Sequence, residues 1–97
     1  MNPEALLTHY LNKYQITLTH PEHGLIILTS SIWADQPALQ GAVQQAIAGL
    51  NGVQAVLVAS PEQLTVRYDS RQLRQLNPLS LMALERKLRQ QYRQAGY

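Results

Sequence analysis

The chain contains no cysteine, which excludes disulfide bonds, thiolate metal sites and a thiol nucleophile together. Composition then leaves the redox compartment open, and the cytoplasm is the default expectation. Long apolar runs are also missing. None approaches the roughly eighteen residues that a membrane-spanning helix needs, so a soluble chain, at most peripheral at a membrane surface, is expected. Met1 to Tyr14 hold Glu4 and Lys13 among short apolar runs and lack the basic stretch and apolar core of a signal peptide. Charged residues are sparse at 14%, against 45% hydrophobic ones, the balance of a chain that folds. There is no glycine-rich phosphate loop, because Gly41, Gly49 and Gly52 are scattered within or just after one helical pattern, and nucleotide binding has no support. Ser30 and Ser31 sit in a loop without a nucleophile elbow and with no motif setting a His and Asp pair beside them, so catalysis is not expected.

What is present is 97 residues, enough for one core, read as a single domain with an N-terminal helix over 1–14 and a core over 16–93. Asn2 and Pro3 read as a cap and first helical residue, and Leu6, Leu7, Tyr10, Leu11 and Tyr14 recur at helical spacing. Two β-prone runs, Ile16–His20 and Leu25–Thr29, flank the turn signal Pro21-Glu22-His23-Gly24 and predict a hairpin. Asp35 as cap and Pro37 near the start introduce a helix over about 36–50, whose apolar stripe is Leu39, Val43, Ala46, Ile47 and Leu50 and whose stop is Asn51-Gly52. Val53–Ala59 and the alternating Leu64, Val66 and Tyr68 predict a second hairpin around Ser60–Gln63. Asn77-Pro78 repeats the cap-then-proline signal before Leu81, Leu84, Leu88 and Tyr92, a second amphipathic helix over about 78–93.

The order strand, helix, strand, strand, helix, with Leu50-Asn51-Gly52-Val53 closing the first helix and Val66-Arg67-Tyr68-Asp69 closing a later strand, resembles the heavy-metal-associated domain family over residues 16 to about 90. The resemblance is to the cysteine-poor branch, in which a His-containing strand and turn precede the first core strand. It implies an α+β, ferredoxin-like antiparallel sheet with two helices on one face, and a role as a metal carrier or a module beside a metal transporter. Metal-carrying members hold a Cys-x-x-Cys pair where this chain reads Thr29-Ser30-Ser31-Ile32-Trp33-Ala34-Asp35. Hydroxyls and an indole do not replace two soft thiolates for Cu(I) or Zn(II), so the fold carries over and the metal chemistry does not. No fourth strand follows the last helix, and Ile16–His20 is expected to fill that edge, antiparallel to Leu25–Thr29.

These readings lead first to a non-catalytic protein-interaction or regulatory module related to metal-trafficking domains, with a protein partner or self-association as a homodimer. The edge run Ile16–His20 holds no Lys, Arg or Pro, and the N-terminal apolar stripe packs on its own sheet or on a second chain. Trp33 either covers the core edge, the favoured role, or anchors a partner. The alternative function is binding of a transition-metal ion, Zn(II) or Ni(II), through His20 and His23, with His9 or Glu22 as third ligand; no other cofactor is implied. A further alternative uses charge asymmetry. Residues 1–66 carry Lys13 against Glu4, Glu22, Asp35 and Glu62 (net −3), and residues 67–97 carry Arg67, Arg71, Arg74, Arg86, Lys87, Arg89 and Arg93 against Asp69 and Glu85 (net +5). Arg86, Lys87, Arg89 and Arg93 on the last helix could meet an anionic surface. Without interleaved exposed aromatics, nucleic acid is disfavoured, and a solvated basic face is the plainer explanation.

Overall fold

The computed structural model describes residues 3–97, so the Asn2 cap lies outside the described residues. Helix α1 spans Pro3–Asn12, and its stripe turns inward: Leu7 and Leu11 are buried, with Leu6, Tyr10 and Tyr14 packed against the same core. The stripe is therefore covered by its own chain. The helix stops where the Ile16 amide donates to the Leu11 carbonyl at 3.1 Å around Gln15 at φ 59°, a left-handed stop that usually takes glycine.

Strands β1 (Thr17–Glu22) and β2 (Leu25–Thr29) form the expected hairpin. Pro21 and Glu22 belong to β1 instead of the turn, because the hairpin closes on the pair Glu22–Leu25 after a bulge beyond Thr19. His23 and Gly24 alone make the turn, Gly24 at φ 80°. The loop expected over 29–35 contains a one-turn helix, α2 (Ile32–Asp35). Asp35 ends α2 and caps nothing; Gln36 takes the cap position of α3 (Pro37–Ala48) without a side-chain bond. Beyond α3 the chain reverses at Gly52, φ 95°, where a Cβ would stand 2.9 Å from the Leu73 backbone nitrogen. Only glycine satisfies both the angle and that approach.

Strands β3 (Val53–Ser60) and β4 (Gln63–Tyr68) form the second hairpin. A short helix that the periodicity did not predict, α4 (Ser70–Arg74), starts on the Asp69 carboxylate, which accepts from the amides of Arg71 and Gln72 at 2.9 and 3.3 Å. Helix α5 (Pro78–Gln94) starts as expected, with the Asn77 side chain accepting from Leu79 at 2.9 Å.

The four strands form one sheet in the order β1-β2-β4-β3, antiparallel throughout, and β1 occupies the edge expected for it. This α+β arrangement is compatible with a ferredoxin-like fold. On the helix side Ile26, Leu28, Val56, Leu64, Val66 and Tyr68 join Leu39, Val43, Ile47, Leu81, Leu84 and Leu88 in one core. On the opposite side Leu25, Ile27, Ala55 and Thr65 are only half-buried and Leu57 and Arg67 are exposed, as on a face that no helix covers.

Strand β3 is an edge, and α3 guards it. The Tyr68 amide bonds back to Gly24 across β2 at 3.1 Å, so alternation along β4 leaves the backbone groups of Val56 and Val58, opposite Val66 and Leu64, turned outward. Gln44 donates to the Val56 carbonyl at 2.9 Å, and buried Gln40 donates to those of Ser60 and Gln63 at 2.8 and 3.3 Å. Two glutamines one helical turn apart thus satisfy edge carbonyls that would otherwise invite another strand.

Candidate functional site

Two regions hold the residues singled out by the sequence, and a third holds residues that it did not single out. The first is the β1–β2 turn. His20 lies on the helix side of β1, and its Nε2 shares a short hydrogen bond with the Tyr68 hydroxyl. His23 Nε2 pairs with the Ser70 hydroxyl at 2.9 Å. Metal binding through either Nε2 would break these bonds. Neither His9, whose ring leans on Tyr10 at 5.9 Å, nor Glu22 completes a set: among the described residues no three His, Cys, Asp or Glu side chains converge. The Ser70–His23 contact is a pairing that spacing could not suggest. It is exposed, and Oδ1 of the neighbouring Asp69 is engaged in capping α4. Ser30 is buried with its hydroxyl unpartnered.

The second region lies where α1, α2 and α5 meet. Trp33 is 0% exposed and donates from Nε1 to the Tyr92 hydroxyl at 3.1 Å. It has the covering role and presents no surface to a partner. Burial raises the Tyr92 phenol, and the Trp33 bond lowers it in part. The Tyr14 ring stands 4.9 Å from that of Tyr92, and its hydroxyl donates to Glu85 Oε1 at 2.7 Å. Lys13 reaches the same oxygen at 3.2 Å and Arg89 reaches Oε2 at 3.5 Å. Glu85 is 8% exposed, and the Tyr14 bond, then Lys13 and Arg89, hold its carboxyl below the usual range against the opposing effect of burial. Burial first, then Glu85, pushes the Tyr14 phenol up to about 12. The basic residues of α5 separate here. Arg89 and Arg93 border a cleft of about 370 Å³ with Lys13, Tyr14, Tyr92 and Tyr97, whereas Lys87 borders the groove between α3 and α5 and Arg86 is exposed elsewhere on the helix.

The third region, which the sequence reading missed, is the helix-free face of the sheet. Its register rows are Glu22–Leu25–Arg67–Ala55 and Thr19–Ile27–Thr65–Leu57. Partners directly opposite share a face, so Leu25, Ile27, Ala55 and Leu57 form an apolar band among threonines, Leu57 being 57% exposed. Only Glu22 and Arg67 are charged in those rows. The signal was present in the alternation of β4, but recognising the band required knowing which strands lie side by side.

No family model, curated protein or solved structure matches the chain. Among the described residues no helix is long and apolar enough to cross a membrane.

Proposed function

We propose that the chain is a non-catalytic protein-interaction module, related in fold to metal-trafficking domains and working in the cytoplasm, whose open sheet face takes a second copy of the chain. One observation carries the reading: a four-stranded sheet covered by helices on one side only, with Leu25, Ile27, Ala55 and Leu57 across the other. What supports a second copy as occupant is charge. Glu22 and Arg67 lie on either side of Leu25 in one row, so a twofold axis along β2 sets Glu22 over Arg67 of the second copy and Leu25 over Leu25. Aligned sheet packing at a spacing of about 10 Å allows both contacts. A face four strands wide and five residues long measures roughly 19 by 17 Å, about 320 Å² on each copy against the roughly 800 Å² per partner of a standard stable interface, so weak, transient association in the high-micromolar range is expected.

Light scattering between about 1 and 200 µM tests this, since each tenfold in dissociation constant is about 1.4 kcal/mol. Mass rising above 10.9 kDa with concentration is expected for the native chain. Ile27→Lys and Leu57→Lys should remain folded by circular dichroism and stay monomeric. Arg67→Glu should weaken association, and adding Glu22→Arg should restore it. A native chain that stays at the monomer mass throughout overturns the proposal.

A further inference from the structure

We infer that the outer flank of α5 docks on an anionic phospholipid surface, with Leu79 and Met82 entering the headgroup layer and Arg86, Arg89 and Arg93 meeting the phosphates beside them. This is independent of the open sheet face, which lies on the other side of the sheet from the helices. At 3.6 residues per turn these five positions fall within roughly 80° of the helix circumference. They stand clear of Leu81, Leu84, Leu88 and Tyr92, which are buried in the core. The flank toward α3 differs, since there Ala83, Lys87, Gln90 and Gln91 border the groove against Ala42 and Ala46. Leu79 is 68% and Met82 46% exposed, and the three arginines are exposed as well. Two large apolar side chains one turn apart, left in water at the head of a basic stripe, suit a helix that lies on a membrane surface.

Charge selects the anionic lipid. Lys13 adds a fourth cation beside the stripe, through its contact with Glu85 at 3.2 Å. Against these four stand Glu85, the one acidic residue of α5, and a carboxylate at Tyr97, which leaves +2 (4 − 2). Helix dipoles of about half a charge add at the start of α5 and subtract at the ends of α1 and α5, so roughly +1.5 remains. Glu85 is buried and already held by Tyr14, Lys13 and Arg89, whereas Arg86 and Arg93 form no ion pair among the described residues. Guanidinium forks match phosphate oxygens in geometry as well as charge. A leaflet potential of about −30 mV raises the local concentration of such a face by about five- to tenfold. Leu79 and Met82 offer no ring for a base to stack on, which favours lipid over single-stranded nucleic acid.

Co-sedimentation of the full chain with vesicles tests this, using phosphatidylcholine alone and with one third phosphatidylserine, in about 0.1 M salt where the Debye length is about 10 Å. Binding to the anionic vesicles should be about five- to tenfold tighter than to the neutral ones, and should fall toward the neutral value in about 1 M salt. Arg86→Glu and Arg93→Glu each cancel the positive excess and should abolish the preference. Leu79→Ser combined with Met82→Ser should weaken binding to anionic vesicles about tenfold or more, since the apolar anchors are lost. All four positions are exposed, so the variants should keep the native circular dichroism. Lys87→Glu makes the same charge change on the flank toward α3, across a helix about 10 Å thick, and should leave binding within about twofold. Equal binding to both vesicle types, an equal loss in Lys87→Glu, no binding at millimolar lipid, or binding to a DNA oligonucleotide but not to the vesicles overturns the proposal.

Discussion

Ser30 carries its hydroxyl into the core region without a hydrogen-bond partner, although its own amide is satisfied by the Glu62 carbonyl at 2.9 Å. A buried hydroxyl left unpaired costs about 1–3 kcal/mol by mutational measure. Ser30→Ala should therefore raise the unfolding midpoint in urea without changing its slope, by up to about 1 kcal/mol after the lost packing of one oxygen is subtracted. An unchanged or lower midpoint would mean that the hydroxyl does find a partner. The sequence marked Ser30 only as a loop serine. Its neighbour Glu62 comes from the turn of the β3–β4 hairpin, which no local pattern around residue 30 encodes.

Edge protection belongs to elements. β3 carries no charge and no proline along Val53–Ser60, and Val58 is 53% exposed, so by composition alone it is a hazard for strand-to-strand aggregation. Gln40 and Gln44 of α3 offset this by occupying outward carbonyls. Gln40→Leu removes the donor to Ser60 and Gln63 while keeping the side chain's bulk, and should destabilise the fold by about 1–3 kcal/mol because two carbonyls lose a buried partner. Gln40→Glu should be worse, since an acceptor then faces acceptors. Chemical denaturation of both variants measures this; a Gln40→Leu variant as stable as the parent would show that water replaces the amide without cost. The strand and helix themselves were legible from their periodicities. Their mutual capping was not, because polar residues on a helical stripe look like solvated surface until the neighbouring strand is known.

Across the whole molecule, Glu85 joins the end of α1 to α5 through Tyr14 and Lys13. Its carboxyl is held low, so its stabilisation is present above the unfolded value near 4.3 and lost as pH falls through the folded value. Tyr14 is pushed up to about 12, so its stabilisation is present below the unfolded value of about 10 and lost as pH rises from there to the folded value. Tyr14→Phe should therefore cost most near neutral pH, with the difference from the native chain shrinking below about pH 4 and above about pH 10. Unfolding free energies from urea titrations across that span check it. A difference independent of pH would assign the effect to packing of the hydroxyl and not to its bond with Glu85.

The sequence by itself determined the four strands, the two long core helices and the N-terminal helix, because their signals lie within a turn or two: Asn77-Pro78 before α5, Gly52 after α3, and the alternation of Leu64, Val66 and Tyr68. It also determined that β1 would pair with β2, since a short turn leaves the two runs little other choice. Tertiary structure decided what each surface residue meets. Lys13, Trp33, Glu85 and Tyr97 are far apart along the chain and converge only when α1, α2 and α5 pack together; His20 and His23 receive their hydroxyl partners from β4 and α4; and the apolar band appears only when β2 and β4 lie side by side. Local patterning fixes which face of an element is buried through its period, but side-chain partners depend on distances between elements, and those are set by packing of the whole core.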